Sequence, residues 1–248
     1  MNEYLIYFSY KYNGDWEKIY NAFRTFEKID KLNFEKVQSE TKSLLESDKY
    51  ISVVDEIYPL SLQNLTKPPF IIYILGNKKL LEETECYCIT GNHEQNYVLD
   101  YVKELEKVNK NFTLITTGMS SIDKKVCETL LKKGWNVIYV LASGITREWK
   151  EMCEKWKDQV LVISEYPNEY HATKKAFIAR NRIIAAMAKK MILLSSKENK
   201  LNYLIENFLD LGKDVYCLGQ PSEDKINQNI DLINQGAFIT NDFNKVLN

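Results

Sequence analysis

The sequence predicts an α/β protein: a Rossmann-like, doubly wound, mostly parallel sheet with a small helical region at its N-terminus. Three observations predict it. From residue 50 onward, short apolar runs alternate with amphipathic stretches. Those runs are nearly continuous in apolar residues, as strands covered on both faces are. Glycine recurs just after them, at Gly91, Gly118, Gly144 and Gly219, where a strand must turn sharply toward a helix.

The elements follow in chain order. In DWEKIYNAFRTFEKI, residues Trp16, Ile19, Tyr20, Phe23, Phe26 and Ile29 share one stripe, and FEKVQSETKSLLES continues the pattern to residue 47. That spacing predicts amphipathic helices over 15–47. Residues 1–48 form a helical region too small for much of a core of its own, and it is expected to serve as a packing element. The expected strands are FIIYIL (70–75), CYCIT (86–90), FTLIT (112–116), WNVIYVL (135–141), VLVI (160–163), MILL (191–194) and DVYCL (214–218). Helices are expected between them, near 94–109, 120–133, 146–157, 176–189, 198–211 and 225–234. Strands alternating with helices through right-handed crossovers place residues 49–248 in one domain. Its ligand site is expected beyond the carboxyl ends of the strands.

Bulk composition removes several classes of function. The chain has 248 residues, is 45% hydrophobic and 27% charged, and has a formal net charge of −1. Binding to a polyanion must therefore come from a local patch rather than the overall field. No apolar run approaches the roughly 18 residues of a membrane span, and MNEYLIYFSYKYNGDW is no signal peptide, so a cytoplasmic protein is expected. Cys86, Cys88, Cys127, Cys153 and Cys217 include no CxxC pair and are expected to be buried, reduced thiols. With only His93 and His171, neither a metal site nor a Cys/His nucleophile pair is expected. The strand-following loops lack a G-x-G-x-x-G fingerprint, a Walker A loop and a G-x-S-x-G elbow, so no cofactor is expected.

The cations are more informative. Only four of the 33 basic residues are arginine, and two of them lie two residues apart in FIARNRIIAAMA (177–188). Lys174, Lys175, Arg180 and Arg182 are expected near the positive end of a helix on the sheet's ligand-facing rim. A guanidinium fork holds phosphate through two bonds and stacks on bases. Arg180, Asn181 and Arg182 therefore suit a phosphodiester backbone, with Tyr166 or Tyr170 as stacking partners and backbone N–H groups near Gly91 and Gly118 as further phosphate donors. The alternative is that one arginine pairs with Glu165 or Asp123 inside the fold.

Four blocks resemble the DNA-processing protein A (Smf) family: YPLSLQNLTKPPFIIYILGN (58–77), TTGMSSID (116–123), SEYP with FIARNRII (164–167 and 177–184), and DLINQGA (231–237). The resemblance spans residues from about 50 to 240. It implies a non-enzymatic protein of natural transformation that binds single-stranded DNA, forms a homodimer and loads the RecA recombinase. Carried over by position, it implies Arg180, Arg182 and Lys174 as DNA contacts. Gly118 and Asp123 would shape the adjoining loop. Gly91, His93, Ser120, Ser121, Lys175 and Asn181 complete the expected interface, with Glu165 as a structural partner.

The chain also departs from the family pattern. Gly91-Asn92-His93 stands where the family has Gly-Ser-Arg, which exchanges a fixed cation for a histidine. Ser120-Ser121 replaces an Ala-basic-Gly segment, NKLNYL (199–204) replaces a glycine loop, and Phe177-Ile178 replaces Phe-Pro. Losing two cations lowers counterion-release affinity, with Lys200 a partial substitute. Two further readings follow: a nucleotide-cleaving, phosphoribohydrolase-like enzyme using Glu165 as acid–base, and a degenerate copy acting through protein partners.

Overall fold

Three helices open the chain in the computed structural model, which describes residues 2–46, 49–168 and 170–247. They are α1 (Asn2–Lys11), α2 (Trp16–Arg24) and α3 (Lys31–Glu46). The last expected helical residue, 47, and the boundary at 48 lie outside the described residues. Helix α1 was not expected, and its burial explains why: Leu5 through Ser9 are all buried, so its apolar residues run on without helical spacing. Asp15 caps α2 by accepting from the backbone N–H of Lys18, which fixes where that helix starts.

The remaining elements alternate. They are β1 (Tyr50–Ser52), α4 (Leu60–Gln63), β2 (Ile71–Gly76), β3 (Cys86–Gly91), α5 (Asn96–Lys103), β4 (Thr113–Thr116), α6 (Ser121–Lys132), β5 (Asn136–Leu141) and α7 (Arg147–Trp156). Next come β6 (Val160–Ser164), α8 (Lys174–Met187), β7 (Lys190–Ser195), α9 (Asn202–Asp210), β8 (Val215–Leu218), α10 (Asn229–Asn234), β9 (Phe238–Thr240) and α11 (Phe243–Leu247). All seven expected strands are present. The two that sequence reasoning missed, β1 and β9, are three-residue strands at the two ends of the sheet.

The sheet order is β1-β2-β6-β5-β4-β3-β7-β8-β9. Strands β3 to β9 pair in parallel, whereas β2 runs antiparallel to both β1 and β6. Alternation along the strands builds two apolar layers. Cys86, Cys88, Ile115 and Ile138 face α8 and α9, while Tyr87, Ile89, Leu114 and Val137 face α5 and α6. The sheet is thus wound on both faces.

The N-terminal helices are fastened to one end of it. Leu5 and Ile6 pack with Ile71 and Tyr73, and Ser9 Oγ lies 3.0 Å from the Tyr73 hydroxyl. From β3 the chain winds outward through β4, β5 and β6, then returns along α8 to place β7 on the other side of β3. The winding direction reverses at β3, where a crevice opens beyond the strand ends.

Candidate functional site

Helix α8 divides the expected cations between two clefts. Thr173 caps it, its Oγ1 accepting from the Ala176 N–H at 3.2 Å. Residues 174, 177 and 181 then share one face, and residues 175, 179 and 182 share another. Arg180 and Arg182, two residues apart, project about 200° apart around the axis. They do not form one rim, which corrects the expectation of a paired fork.

The first cleft lies at the switch point and has a volume of about 580 Å³. Thr90 and Gly91 from β3, Thr117 and Ser120 after β4, residues 199–201, 203 and 204 after β7, and Lys174, Phe177, Arg180 and Asn181 of α8 line it. Gly91 permits the close approach: a Cβ there would lie 2.8 Å from Ser195 Oγ and 3.0 Å from Ser195 N. The β3–β7 register also shifts between Thr90 and Gly91.

Arg180 is the dominant group of this cleft. The residue is 7% exposed, and its Nε is buried without a hydrogen-bond partner. Its Nη2 donates a long 3.4 Å bond to Asn181 Oδ1, and its guanidinium sits 5.5 Å from the Phe177 ring centroid. Burial pushes its pKa down to about 10, against the pull of the Asp123 charge, so it stays protonated at neutral pH. Asp123 does not pair with it. Its two oxygens accept from Thr90 Oγ1 at 2.7 Å and Thr117 Oγ1 at 2.8 Å, while Ser120 Oγ accepts from the Asp123 N–H to cap α6. The carboxylate braces the loops of β3 and β4.

Arg182 has the opposite environment. Its Nη1 and Nη2 donate to the two oxygens of Glu165 at 2.8 and 2.6 Å, its Nε to Lys67 O at 2.9 Å and its Nη1 also to Ala179 O. Burial pulls this guanidinium's pKa down, but the Glu165 carboxylate outweighs that and holds it above its ordinary value. Both groups are largely buried, with side-chain exposures of 14% and 5%. The fork expected on DNA is a clamp between α8 and the loop that follows β6.

Several other expected contacts are engaged elsewhere. Lys175 pairs with Asp15 at 2.8 Å and faces the second cleft, between α8 and the N-terminal helices. Tyr166 and Tyr170, stacked 4.5 Å apart, line that cleft too. His93 Nε2 contacts Asp224 Oδ1 at 3.2 Å, and the ring is buried away from the switch-point cleft. Ser121, in the first turn of α6, does not line that cleft either. The amides expected to meet phosphate are satisfied internally: Asn92 and His93 donate to Ser195, Gly118 to Thr116 Oγ1 and Met119 to Thr117 Oγ1.

Sequence reasoning missed three exposed apolar residues on the switch-point cleft: Met119, Phe177 and Tyr203. The available signal was large apolar residues in segments following strands, where packing does not call for them. Lys200 also lines this cleft, paired with Glu198 at 2.6 Å.

The five cysteines are buried and free of disulfides, and burial pushes the thiols of Cys86, Cys127 and Cys217 up to about 12. Among the described residues no cluster of His, Cys, Asp and Glu could hold a metal ion, and no helix is long and apolar enough to cross a membrane.

A doubly wound sheet with a cationic crevice at its reversal point defines the class: a Rossmann-like α/β protein with a switch-point cleft. A family model described as DNA recombination-mediator protein A matches residues 49–248, and the chain belongs to that family. It is 24% identical over 173 residues to the DNA processing protein DprA of Streptococcus pneumoniae, a match covering 67% of this chain and 61% of that protein. It is 27% identical over 197 residues to the DprA of Bacillus subtilis, covering 75% and 66%. The chain thus matches less than two thirds of the length of either relative. In structure it resembles the S. pneumoniae DprA with a TM-score of 0.73 at 21% identity, covering 99% of this chain and 91% of that one. It also resembles a Helicobacter pylori DprA, described for its single-stranded DNA binding mode, with a TM-score of 0.65 at 20% identity, covering 80% and 94%. At these identities the two structures establish the fold.

Proposed function

We propose that the switch-point cleft holds single-stranded DNA and converts nothing. The observation that carries this reading is Arg180: a protonated guanidinium with an unpartnered Nε, paired with no carboxylate among the described residues, on a cleft bordered by exposed apolar side chains. A phosphate in the cleft is an anionic acceptor for this otherwise unpaired guanidinium, and bases stack on Phe177 and Tyr203. Lys174 and Lys200 add further phosphate contacts. Family membership and the H. pylori relative's DNA binding mode support the choice of ligand. The hydrolase alternative loses its base, because both oxygens of Glu165 are held by Arg182.

Recombination mediation with a RecA-type recombinase, in the cytoplasm, completes this reading, as does the division into a helical region (1–48) and a Rossmann-like domain (49–248). So does a homodimer. The outer edge of β9 pairs with no strand among the described residues, and Phe238 and Ile239 on it are 52% and 60% exposed. Ile239→Lys is expected to yield a monomer by sedimentation if two copies meet there.

Fluorescence anisotropy with a short labelled oligothymidylate tests the site. Arg180→Met should lower affinity by about tenfold or more, as the loss of a charged hydrogen bond does. Unchanged affinity in that variant overturns the assignment.

A further inference from the structure

The second cleft, of about 660 Å³, lies between α8 and the turn joining α1 to α2. It is a built site. Gly14 of that turn, at φ +69, is pressed so closely on β6's following loop that a Cβ would sit 2.5 Å from Glu165 O. Tyr12, Trp16, Tyr166 and Tyr170 supply aromatic walls, and the Glu165–Arg182 pair borders it.

Five cations and three carboxylates line it. Asp15 holds Lys175, Glu17 holds Lys67 and Glu165 holds Arg182. Lys18 and Lys174 pair with no carboxylate among the described residues and leave the cleft a net positive charge. Lys174 and Ile178 also line the switch-point cleft, so the two clefts meet along one edge of α8.

We infer that this second cleft takes the continuation of the same DNA strand: phosphates pass Lys174 to Lys18, and an unstacked base lies against Tyr170. The inference rests on the proposed DNA binding. It gives the N-terminal helices a part in the path, with Asp15 and Glu17 as internal anions that the strand's phosphates displace. A nucleobase fits aromatic walls with cations at the mouth, because every base has a π-face and a phosphate on either side.

The test compares anisotropy of two labelled oligothymidylates, of about 6 and about 20 nucleotides, on the full chain. Tyr170→Ala should lower affinity for the long strand about tenfold and leave the short one unchanged. Asp15→Asn should raise long-strand affinity alone, by freeing Lys175. Equal effects of Tyr170→Ala on both lengths, or none on either, overturn the second cleft while leaving the first intact. Wild-type protein that binds neither length overturns the DNA reading and this one with it.

Discussion

Arg180 and Arg182 show how little the residue type says without its partners. A buried ion pair is not in itself strong support for a fold, but removing one member strands the other charge in a poor solvent. Arg182→Met leaves the Glu165 carboxylate buried and unpaired, and the expected loss is about 3–5 kcal/mol. For a chain of this size that is a fall in Tm of roughly 10 °C by calorimetry. Arg182→Lys rescues little, because an ammonium cannot make both bonds to the carboxylate while also reaching Lys67 O. Arg180→Met should behave in the opposite way. It removes an unpaired buried cation, so Tm is expected to hold or rise while oligonucleotide binding is lost. A matching fall in Tm for both variants would mean that Arg180 serves the fold rather than a ligand.

The rim is set by how closely β3 and β7 approach. Gly91→Ala places a methyl group against Ser195, whose Oγ accepts from the His93 N–H at 3.0 Å. Such overpacking costs about 1–3 kcal/mol; chemical denaturation should show it, together with weaker DNA binding as the β3 loop shifts. The strands themselves were plain in the sequence, since runs such as WNVIYVL lie buried on both faces and have no polar side to obscure them. The edge strands β1 and β9 were not, being three residues long, and α1 was hidden by burial on all sides. For the site, the glycines after the strands marked the right loops, but the cations were misallocated. Positions 180 and 182 cannot share a face of a helix, because two residues turn the chain through about 200°. The spacing alone carried that information. What the sequence could not reveal is that Asp15, 160 residues before Lys175, stands opposite α8 and claims that lysine.

The molecule as a whole offers a polyanion no attraction, its formal net charge being −1. On the proposed reading, affinity for a short strand comes from the few cations on the switch-point cleft: Arg180, Lys174 and, once it leaves Glu198, Lys200. His93 adds nothing there, because it faces Asp224. Three phosphate contacts on a single strand give a log–log salt slope near −2, each contributing about −0.7. Short oligothymidylate affinity should therefore fall roughly 20-fold between about 50 and 200 mM salt. A slope near zero would assign binding to stacking on Phe177 and Tyr203 without phosphate contacts. A slope beyond about −4 would require phosphate contacts beyond the three cations of this cleft. Because carboxylates flank the cleft, association should also be slow and little steered. The rate constant for binding is then expected to change less with salt than the dissociation rate, which stopped-flow anisotropy resolves directly.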